Sequence, residues 1–471
     1  MRAAREPSRS GLSMLIAAIA AIAAAIPFAT LGAGLRFEVR ALPAGICPAT
    51  VAAPDLDEDG HRDVVVANHH SHDFTFLRGD GSGGFEDRPR VPVPGADVSH
   101  PLSLAIADLD GDDHLDVATV SFTNREVSVF YGDGTGALAP GPRIATDRFP
   151  LRVAAADFDG DQRLDLAWVA RDDDTIQVAL GAGGRAFSTP VSHAVGDSPT
   201  AIATADVDGD GDADLLSSDS LGGTVTVLLG DGSGDFPERE TIGGFGVVSF
   251  VAVADFDGDG HAELAVAHDD EVAIVPGVAA RGGDGQAGHG LGSNALTLDV
   301  VDIDEDGHLD IIAASWEANE VNVLLGDGAG GFAPGARVAV GNGPWGVVAA
   351  DWNEDGHFDI VVTNELSNDA SFLRNASFDP LGFRRGDANS DERIDISDPV
   401  EILNYLFLGT ATPRCLEALD AGGNGTLDLA DAVYELAYLF ANGPPPPPPF
   451  ESCGAVPSAA TLGCEESTAG C

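Results

Sequence analysis

Along residues 35–378, apolar and polar positions run through one short cycle seven times. Each cycle opens on small and branched apolar residues, such as Val153-Ala154-Ala155-Ala156 or Val251-Ala252-Val253-Ala254. A carboxylate-rich stretch follows, then an apolar run like Asp116-Val117-Ala118-Thr119-Val120 or Asp310-Ile311-Ile312-Ala313-Ala314. A third run, for example Val225-Thr226-Val227-Leu228-Leu229, ends in the glycine turn Gly230-Asp231-Gly232-Ser233-Gly234-Asp235-Phe236. A fourth, looser run leads into the next cycle. Short β-branched runs bounded by turn residues predict strands, and the apolar spacing of a helix is absent. Each cycle therefore predicts four strands.

The carboxylate stretches begin at Asp55, Asp108, Asp157, Asp206, Asp255, Asp302 and Asp351, spaced 53, 49, 49, 49, 47 and 49 residues apart. A period of this length indicates a propeller or solenoid. Seven four-stranded units predict a mainly β fold, a seven-bladed β-propeller, whose crowded axis suits the small residues of each first strand. The last cycle stops after its third strand, Ala370-Ser371-Phe372-Leu373-Arg374, while an orphan strand, Phe37-Glu38-Val39-Arg40-Ala41-Leu42, precedes the first. It aligns with fourth strands such as Ala336-Arg337-Val338-Ala339-Val340. It is expected to complete blade seven and remove the open sheet edges at that seam.

The cleanest loop, Asp206-Val207-Asp208-Gly209-Asp210-Gly211-Asp212-Ala213-Asp214, carries carboxylates at positions 1, 3, 5 and 9 and glycine at position 6. Alternate spacing in a turning loop aims the first three side chains at one point. Converging hard oxygens suit Ca²⁺, which takes six to eight oxygen ligands. Glycine at position 6 permits a positive φ. Position 7 offers its carbonyl, so the histidines found there in five blades (His61, His114, His261, His308, His357) are expected to face solvent.

These Asp-x-Asp-x-Asp-Gly-x-x-Asp loops and Gly-Asp-Gly-x-Gly-x-Phe turns resemble the FG-GAP/VCBS repeats of integrin α-subunit propellers and of many bacterial exported proteins. The resemblance spans about residues 35–378. The family includes adhesion receptors, at least one propeller lectin, and polysaccharide lyases. It implies Ca²⁺ ligands at Asp55, Asp57, Asp59 and Asp63 in blade one, and at Asp108, Asp110, Asp112 and Asp116 in blade two, where Asp113 replaces the glycine. Blade three offers Asp157, Asp159, Asp161 and Asp165 with Gln162 at the glycine position, and blade four offers Asp206, Asp208, Asp210 and Asp214. Blade five offers Asp255, Asp257, Asp259 and the longer Glu263, and blade six offers Asp302, Asp304, Asp306 and Asp310. Blade seven has Asp351, Asn353, Asp355 and Asp359. The expected role of the metal is structural, because gathering four carboxylates needs a cation to offset their repulsion. Arg78-Gly79-Asp80 is the start of a glycine turn, and integrin recognition through it is not expected.

The formal net charge is −52, and all 24 basic residues are arginine. Such a surface repels nucleic acid and anionic lipid, so neither is expected as a partner. Residues 1–34 read as an export signal: Arg2, Arg5 and Arg9 precede an apolar run from Met14 to Ala29 and then small residues. The run approaches spanning length, so an uncleaved membrane anchor is the alternative. Export fits a metal that is abundant outside cells. The expected location is extracellular, secreted or at the cell surface, with the periplasm as an alternative. Of five cysteines, Cys415, Cys453, Cys464 and Cys471 lie near the C-terminus, where two disulfides would staple a small module in any of three pairings. Cys47 is left over and reads as a small buried apolar residue.

Residues 386–442 change character. Asp387, Asn389, Asp391, Asp395 and Asp398 stand at positions 1, 3, 5, 9 and 12 of an EF-hand-like loop. A helix follows, with Pro399 in its first turn and Val400, Ile402, Leu403 and Leu406 as the apolar stripe. A second copy, 33 residues on, offers Asp420, Asn424, Asp428 and Asp431, with Gly422 at position 3. Two loop–helix units resemble a dockerin, which implies a Ca²⁺-folded module that docks onto a cohesin-like partner. The helix-start pairs Ile396-Ser397 and Leu429-Ala430 depart from the usual Ser/Thr recognition pair. Residues 443–471 form a tail with a proline run, Pro444–Pro449, that predicts a stiff spacer of roughly 19 Å. Similar Cys-containing tails occur in exported planctomycete-type proteins.

Antiparallel strand order puts the carboxylate loops and glycine turns on one face of the ring. The opposite face varies from blade to blade and carries His69, His70 and His72, Asn124 and Arg125, Trp316 and Trp345. Trp316, Trp345, His69 and His72 are the candidate ligand contacts, with tryptophan stacking on a sugar ring. Packing of Trp345 in a blade seam is the other explanation. The expected function is an exported Ca²⁺-binding scaffold for adhesion or recognition of an extracellular carbohydrate or protein, with the tail for assembly or surface attachment. The alternative is a carbohydrate-active enzyme, a polysaccharide lyase or glycoside hydrolase. No catalytic residues are assigned, because Arg125, Asp172, Asp173, His268, Glu317 and Glu365 are scattered.

Overall fold

The computed structural model describes residues 35–93, 100–276, 287–291 and 294–378, then 382–383, 385–386, 388, 394, 396–408, 415–423, 426–441, 444–447 and 454–455. Chain contacts separate a unit of Leu35–Phe378 from one that includes Asp379–Cys471.

In the first unit seven antiparallel sheets succeed one another, each filling four strand positions. The innermost strands are Pro48–Ala52, Pro101–Ala107, Pro150–Ala156, Pro199–Ala205, Val248–Ala254, Ala295–Val301 and Pro344–Ala350. Each lies beside the next, and the seventh lies against the first, so the ring closes. Hydroxyls stitch them together. Thr50 donates to the Leu102 carbonyl at 3.1 Å, Thr297 to the Trp345 carbonyl, and Thr363 of blade seven to the Ala49 carbonyl.

The second strands Asp116–Ser121, Asp165–Ala170, Asp214–Asp219, Asp310–Ser315 and Asp359–Asn364 are buried along their whole length. A blade covers each of their faces, so their apolar runs lose the alternation of a half-exposed strand. The cores sit between blades. One cluster joins blades two and three around Trp168, another blades four and five around Leu216 and Val251, and a third blades seven and one around Trp352. The fourth strands, such as Glu238–Gly243, lie at the solvent rim.

Closure occurs as expected. Phe37–Pro43 pairs antiparallel with Asp369–Asn375 as the outer strand of blade seven, with Phe37 opposite Asn375 and Pro43 opposite Asp369. Leu42 enters the seam between blades seven and one. Arg40 lies over the rings of Phe372 and Phe85 at 4.8 and 5.3 Å. Two blades depart from the simple repeat. Blade one splits its outer strand into Phe85–Asp87 and Val91–Pro92, and blade three inserts a hairpin of Gly181–Gly183 and Ala186–Phe187.

In the second unit the helices Ser397–Leu408, Leu416–Leu419 and Leu429–Ala441 surround Ile402, Cys415, Leu419 and Ala432. Ile402 is fully buried, but Val400, expected in the same stripe, faces solvent. Val400 lies two residues from Ile402, and at about 100° per residue that separation carries it around the helix from the packed face. Cys415 is disulfide-bonded and Cys47 is a free thiol. Cys47 is half-buried rather than buried, with φ of 51°.

Candidate metal centres and the axial cavity

Each carboxylate loop is built from its position 2. Leu56, Leu109, Phe158, Val207, Phe256, Ile303 and Trp352 are all buried in the core. Burying that side chain fixes its backbone N–H, which in blades one to six donates to the position-9 carboxylate. Leu56 donates to Asp63 at 2.8 Å, Val207 to Asp214 at 2.8 Å and Phe256 to Glu263 at 2.8 Å. The second oxygen accepts from the residue that starts the glycine turn: Gly79 onto Asp63, Gly132 onto Asp116, Gly181 onto Asp165, Gly230 onto Asp214 and Gly326 onto Asp310, at 2.7–2.9 Å. In blade four glycine suits the close approach, since a Cβ at Gly230 would stand 2.5 Å from the Ala213 carbonyl oxygen; in blade seven Asn375 holds that place and donates to Asp359 at 2.8 Å. Position 9 therefore ties loop to turn in the protein itself. Burial lifts Asp63, Asp116, Asp165, Asp214 and Asp310 to about 6 and Asp359 to about 7, against the pull of those N–H bonds.

Positions 1, 3 and 5 shape the turn. Asp206 accepts from the N–H of Gly209 at 2.7 Å and of Gly211 at 3.0 Å, and Asp210 accepts from Asp212 at 2.9 Å. Position 4 as well as position 6 takes a positive φ: Gly209 at 81° and Gly211 at 97° in blade four, Glu58 at 55° and Gly60 at 95° in blade one. Asp113 and Gln162 adopt the same left-handed backbone at 71° and 67°, so replacing glycine leaves the loop path intact.

Carboxylate oxygens in these loops come within 4.8 Å of one another in sets able to hold a metal ion: Asp55, Asp57 and Asp63; Asp108, Asp110 and Asp116; Asp157, Asp159 and Asp165; Asp206, Asp208 and Asp210. Asp57 Oδ1 and Asp351 Oδ1 are buried without a hydrogen-bond partner, as oxygens reserved for a cation would be. Burial and the neighbouring carboxylates also hold Asp208 and Asp304 above the usual carboxylate range. Blades one and two add a guanidinium to the cluster. Arg78 lies 2.6 Å from both Asp57 and Asp59, and Arg185 reaches Asp110 and, at 3.3 Å, Asp112. Arg78 is thus committed to the loop, and Asp80 to the N–H groups of Ser82 and Gly84, so the Arg-Gly-Asp tripeptide is locked in place.

The position-7 histidines correct one expectation. His61, His114 and His357 do not simply face solvent. Their Nδ1 atoms meet Glu354, Glu58 and Glu305, the position-4 residues of the preceding blades. The hydrogen bond to glutamate raises each imidazole above its ordinary value. Blades four and five have Gly209 and Gly258 at position 4, so His261 and His308 meet no equivalent glutamate. The signal was present in the sequence, as glutamate at position 4 followed one repeat later by histidine at position 7.

A family profile described as FG-GAP-like repeat matches residues 55–119, 157–217, 206–266 and 302–362, each segment starting on a position-1 aspartate. The chain belongs to this family. Similar solved structures include BBS1N in complex with ARL6DN, soaked with lead, at 14% identity and a TM-score of 0.51, over 71% of this chain and 97% of that one. A catalytically inactive virginiamycin B lyase from Staphylococcus aureus with quinupristin aligns at 11% identity and a TM-score of 0.48, over 72% and 99%. The periplasmic gluconolactonase PpgL of Pseudomonas aeruginosa aligns at 15% and 0.47, over 65% and 98%. At these identities the first likeness, with its TM-score of 0.51, shows the fold alone. No curated protein matches the chain.

On the face opposite the FG-GAP loops, the axis opens into a cavity of about 420 Å³. Leu102, Leu151, Thr200, Ser249, Leu296 and Trp345 bring it one residue from each of six innermost strands, and Arg152, His69, Phe122, Phe149 and Arg171 complete much of the wall. Trp345 is therefore on an innermost strand and not in a surface loop. Trp316 is elsewhere, its indole N–H donating to Glu365 at 3.2 Å across the seam of blades six and seven. His69 and Trp345 thus share the cavity, and His72 packs edge-on to His100 at 4.9 Å. Burial, and then the neighbouring rings, depress His69 to about 4, and burial likewise lowers His100.

Arg152 escaped the sequence reading, although it interrupts an alanine-rich strand where other blades have Ser103, Ala201, Phe250, Thr297 or Gly346. Its guanidinium is enclosed by the cavity, 5.4 Å from the Phe250 ring, and burial brings it down to about 10. It keeps partial contact with the water of the cavity mouth.

In the C-terminal unit, Asp431 accepts from the N–H groups of Gly422 at 3.0 Å and Asp428 at 2.9 Å, and Asp428 accepts from Ala430 at 2.6 Å. Asp420 lies 3.5 Å from Arg385, and Asp398 is buried. Asp387, Asn389, Asp391, Asp395 and Asn424 lie outside the described residues, as does the expected export signal, residues 1–34.

Proposed function

We propose that this is an exported, calcium-stabilised propeller that recognises an extracellular ligand on its variable face. The axial cavity carries this reading. In a chain of net charge −52, its described lining includes Arg152 and neither aspartate nor glutamate; Arg171, also in the lining, is paired with Asp172 at 3.2 Å. Phe122, Phe149 and Trp345 supply flat apolar surface beside those cations. A half-buried guanidinium with no carboxylate partner among the described residues favours a bound anion, and aromatic walls favour a ring. Among carbohydrate and protein ligands, that combination fits an acidic sugar best. Seven FG-GAP loops on the opposite face supply the calcium sites that would hold the blades in register.

The tail reading draws support from a duplicated surface. Ile396, Val400 and Phe407 are exposed on the first helical repeat, and Leu429, Val433 and Phe440 are exposed at the same positions of the second, 33 residues later. Two matching apolar edges on a small module suit a docking partner in assembly or surface attachment.

A glycan array probed with the full protein, in Ca²⁺ and in chelator, tests the recognition. Binding is expected to uronate-containing glycans in Ca²⁺, and to be lost in Arg152→Met and weakened in Trp345→Ala. Equal binding to neutral glycans by wild type and Arg152→Met would sink it.

A further inference from the structure

Four histidines gather where blade one meets blade two on the variable face. His69, His70 and His72 come from the turn between the second and third strands of blade one, and His100 from the entry to blade two. Ring centroids of His69 and His70 are 4.3 Å apart, His69 and His100 4.5 Å, and His70 and His100 5.5 Å. One ring nitrogen from each of these three lies within 4.8 Å of the others. Stacking alone accounts for rings in contact. It does not account for His69 Nε2 and His100 Nδ1, both buried and without a hydrogen-bond partner. Leaving a buried polar atom unpaired is costly, so such atoms in a native fold call for a partner the protein itself does not supply.

We propose that His69, His70 and His100 form a binding site for a divalent transition-metal ion, chemically distinct from the carboxylate loops on the other face. Imidazole suits zinc, copper and nickel, whereas Ca²⁺ takes oxygen. Around a tetrahedral ion, nitrogens 2.0–2.1 Å from the metal stand about 3.3 Å from one another, so small ring rotations close the set. His70 is exposed and gives the ion a way in. Phe122 packs against both His69 and His100, at 5.3 and 5.1 Å, and Phe149 stacks on Phe122 at 4.7 Å. That aromatic backing holds the rings against the mouth of the cavity. Three nitrogen ligands leave a position for water or for an oxygen of a bound molecule. His69 also lines the axial cavity, so that open position adjoins Arg152 and Arg171 and would take a carboxylate.

Co²⁺ titration of the untagged full protein in excess Ca²⁺ tests this, with Zn²⁺ as competitor. Excess Ca²⁺ keeps the oxygen loops occupied, so the signal reports nitrogen ligands. One Co²⁺ per chain is expected, with visible absorption bands of four-coordinate geometry that Zn²⁺ abolishes. His70→Ala and His100→Gln should each lose at least about tenfold in affinity while the Ca²⁺-dependent melting stays unchanged. Absence of stoichiometric Co²⁺ binding in Ca²⁺ would overturn the site, and so would wild-type affinity in both variants. Because the readout is metal binding alone, it is independent of whether the cavity binds a sugar.

Discussion

Asp214 makes two contributions that a pair of substitutions can separate. Its carboxylate is fully buried and accepts from Val207 and Gly230, both at 2.8 Å. Orphaning those two N–H groups costs about 1–3 kcal/mol each. Against that, burial lifts the carboxyl from 3.8 to about 6. Ionising it at neutral pH without a cation thus costs roughly 3 kcal/mol. Asp214→Asn keeps the shape and one acceptor but removes the charge. In chelator it should be between neutral and about 2 kcal/mol more stable than wild type by urea denaturation. Asp214→Ala loses both acceptors and should be less stable than the Asn variant under the same conditions. In Ca²⁺ the ranking reverses between wild type and Asn, because each tenfold loss of calcium affinity removes about 1.4 kcal/mol of linked stability. An Asn variant as unstable in chelator as the Ala variant would refute the charge penalty. A calcium-induced stabilisation unchanged by Asn would refute a metal role for position 9.

Metal-free protein should lose stability as pH rises. The raised carboxyls of Asp63, Asp116, Asp165, Asp214, Asp310 and Asp359 contribute fully below their unfolded value of 3.8, and the contribution disappears as pH passes through about 6 to 7. The denaturation midpoint in chelator should therefore be higher at pH 5 than at pH 7.5, and Ca²⁺ should flatten the difference; a midpoint that climbs toward neutral pH in chelator contradicts it. His61, His114 and His357 drift in the same direction, and replacing Glu58, Glu305 and Glu354 by glutamine removes their share. Deleting residues 35–43 exposes the outer edge of blade seven and the seam around Leu42, so melting of the whole ring should drop cooperatively, and an unchanged transition would exclude the closure. Arg78→Met should raise calcium affinity in blade one, because the guanidinium stands 2.6 Å from two of its carboxylates; calorimetry showing equal or weaker binding would mean that the arginine moves aside without cost.

Blade number, strand order and closure were legible because the repeat states them seven times. Turn residues and β-branched runs are local signals, and the orphan strand Phe37–Pro43 was visible as the piece missing from the last cycle. What the sequence obscured depended on contacts between residues far apart in the chain, within a repeat or between repeats. Nothing local to Asp63 says that its two oxygens are held by Leu56 and by Gly79, 16 residues further on. The histidine–glutamate pairs needed alignment of position 7 in one blade with position 4 of the blade before. The cavity was harder still. Leu102, Arg152, Thr200, Ser249, Leu296 and Trp345 come from six different innermost strands, and only the closed ring brings them together. Trp345 looked like a loop residue because its strand begins at Pro344, one position earlier.

The closing strand also sets how the ring bears load. Phe37 sits opposite Asn375, so both chain ends of the propeller leave from the same end of one antiparallel pair. Tension applied between those ends would not drag the strands past each other with every hydrogen bond resisting together. It would peel them apart like a zipper, one rung at a time, starting at Phe37. The seam that makes the ring continuous is then its weakest point under that pull, while force entering through a ligand in the axial cavity would be shared among the innermost strands.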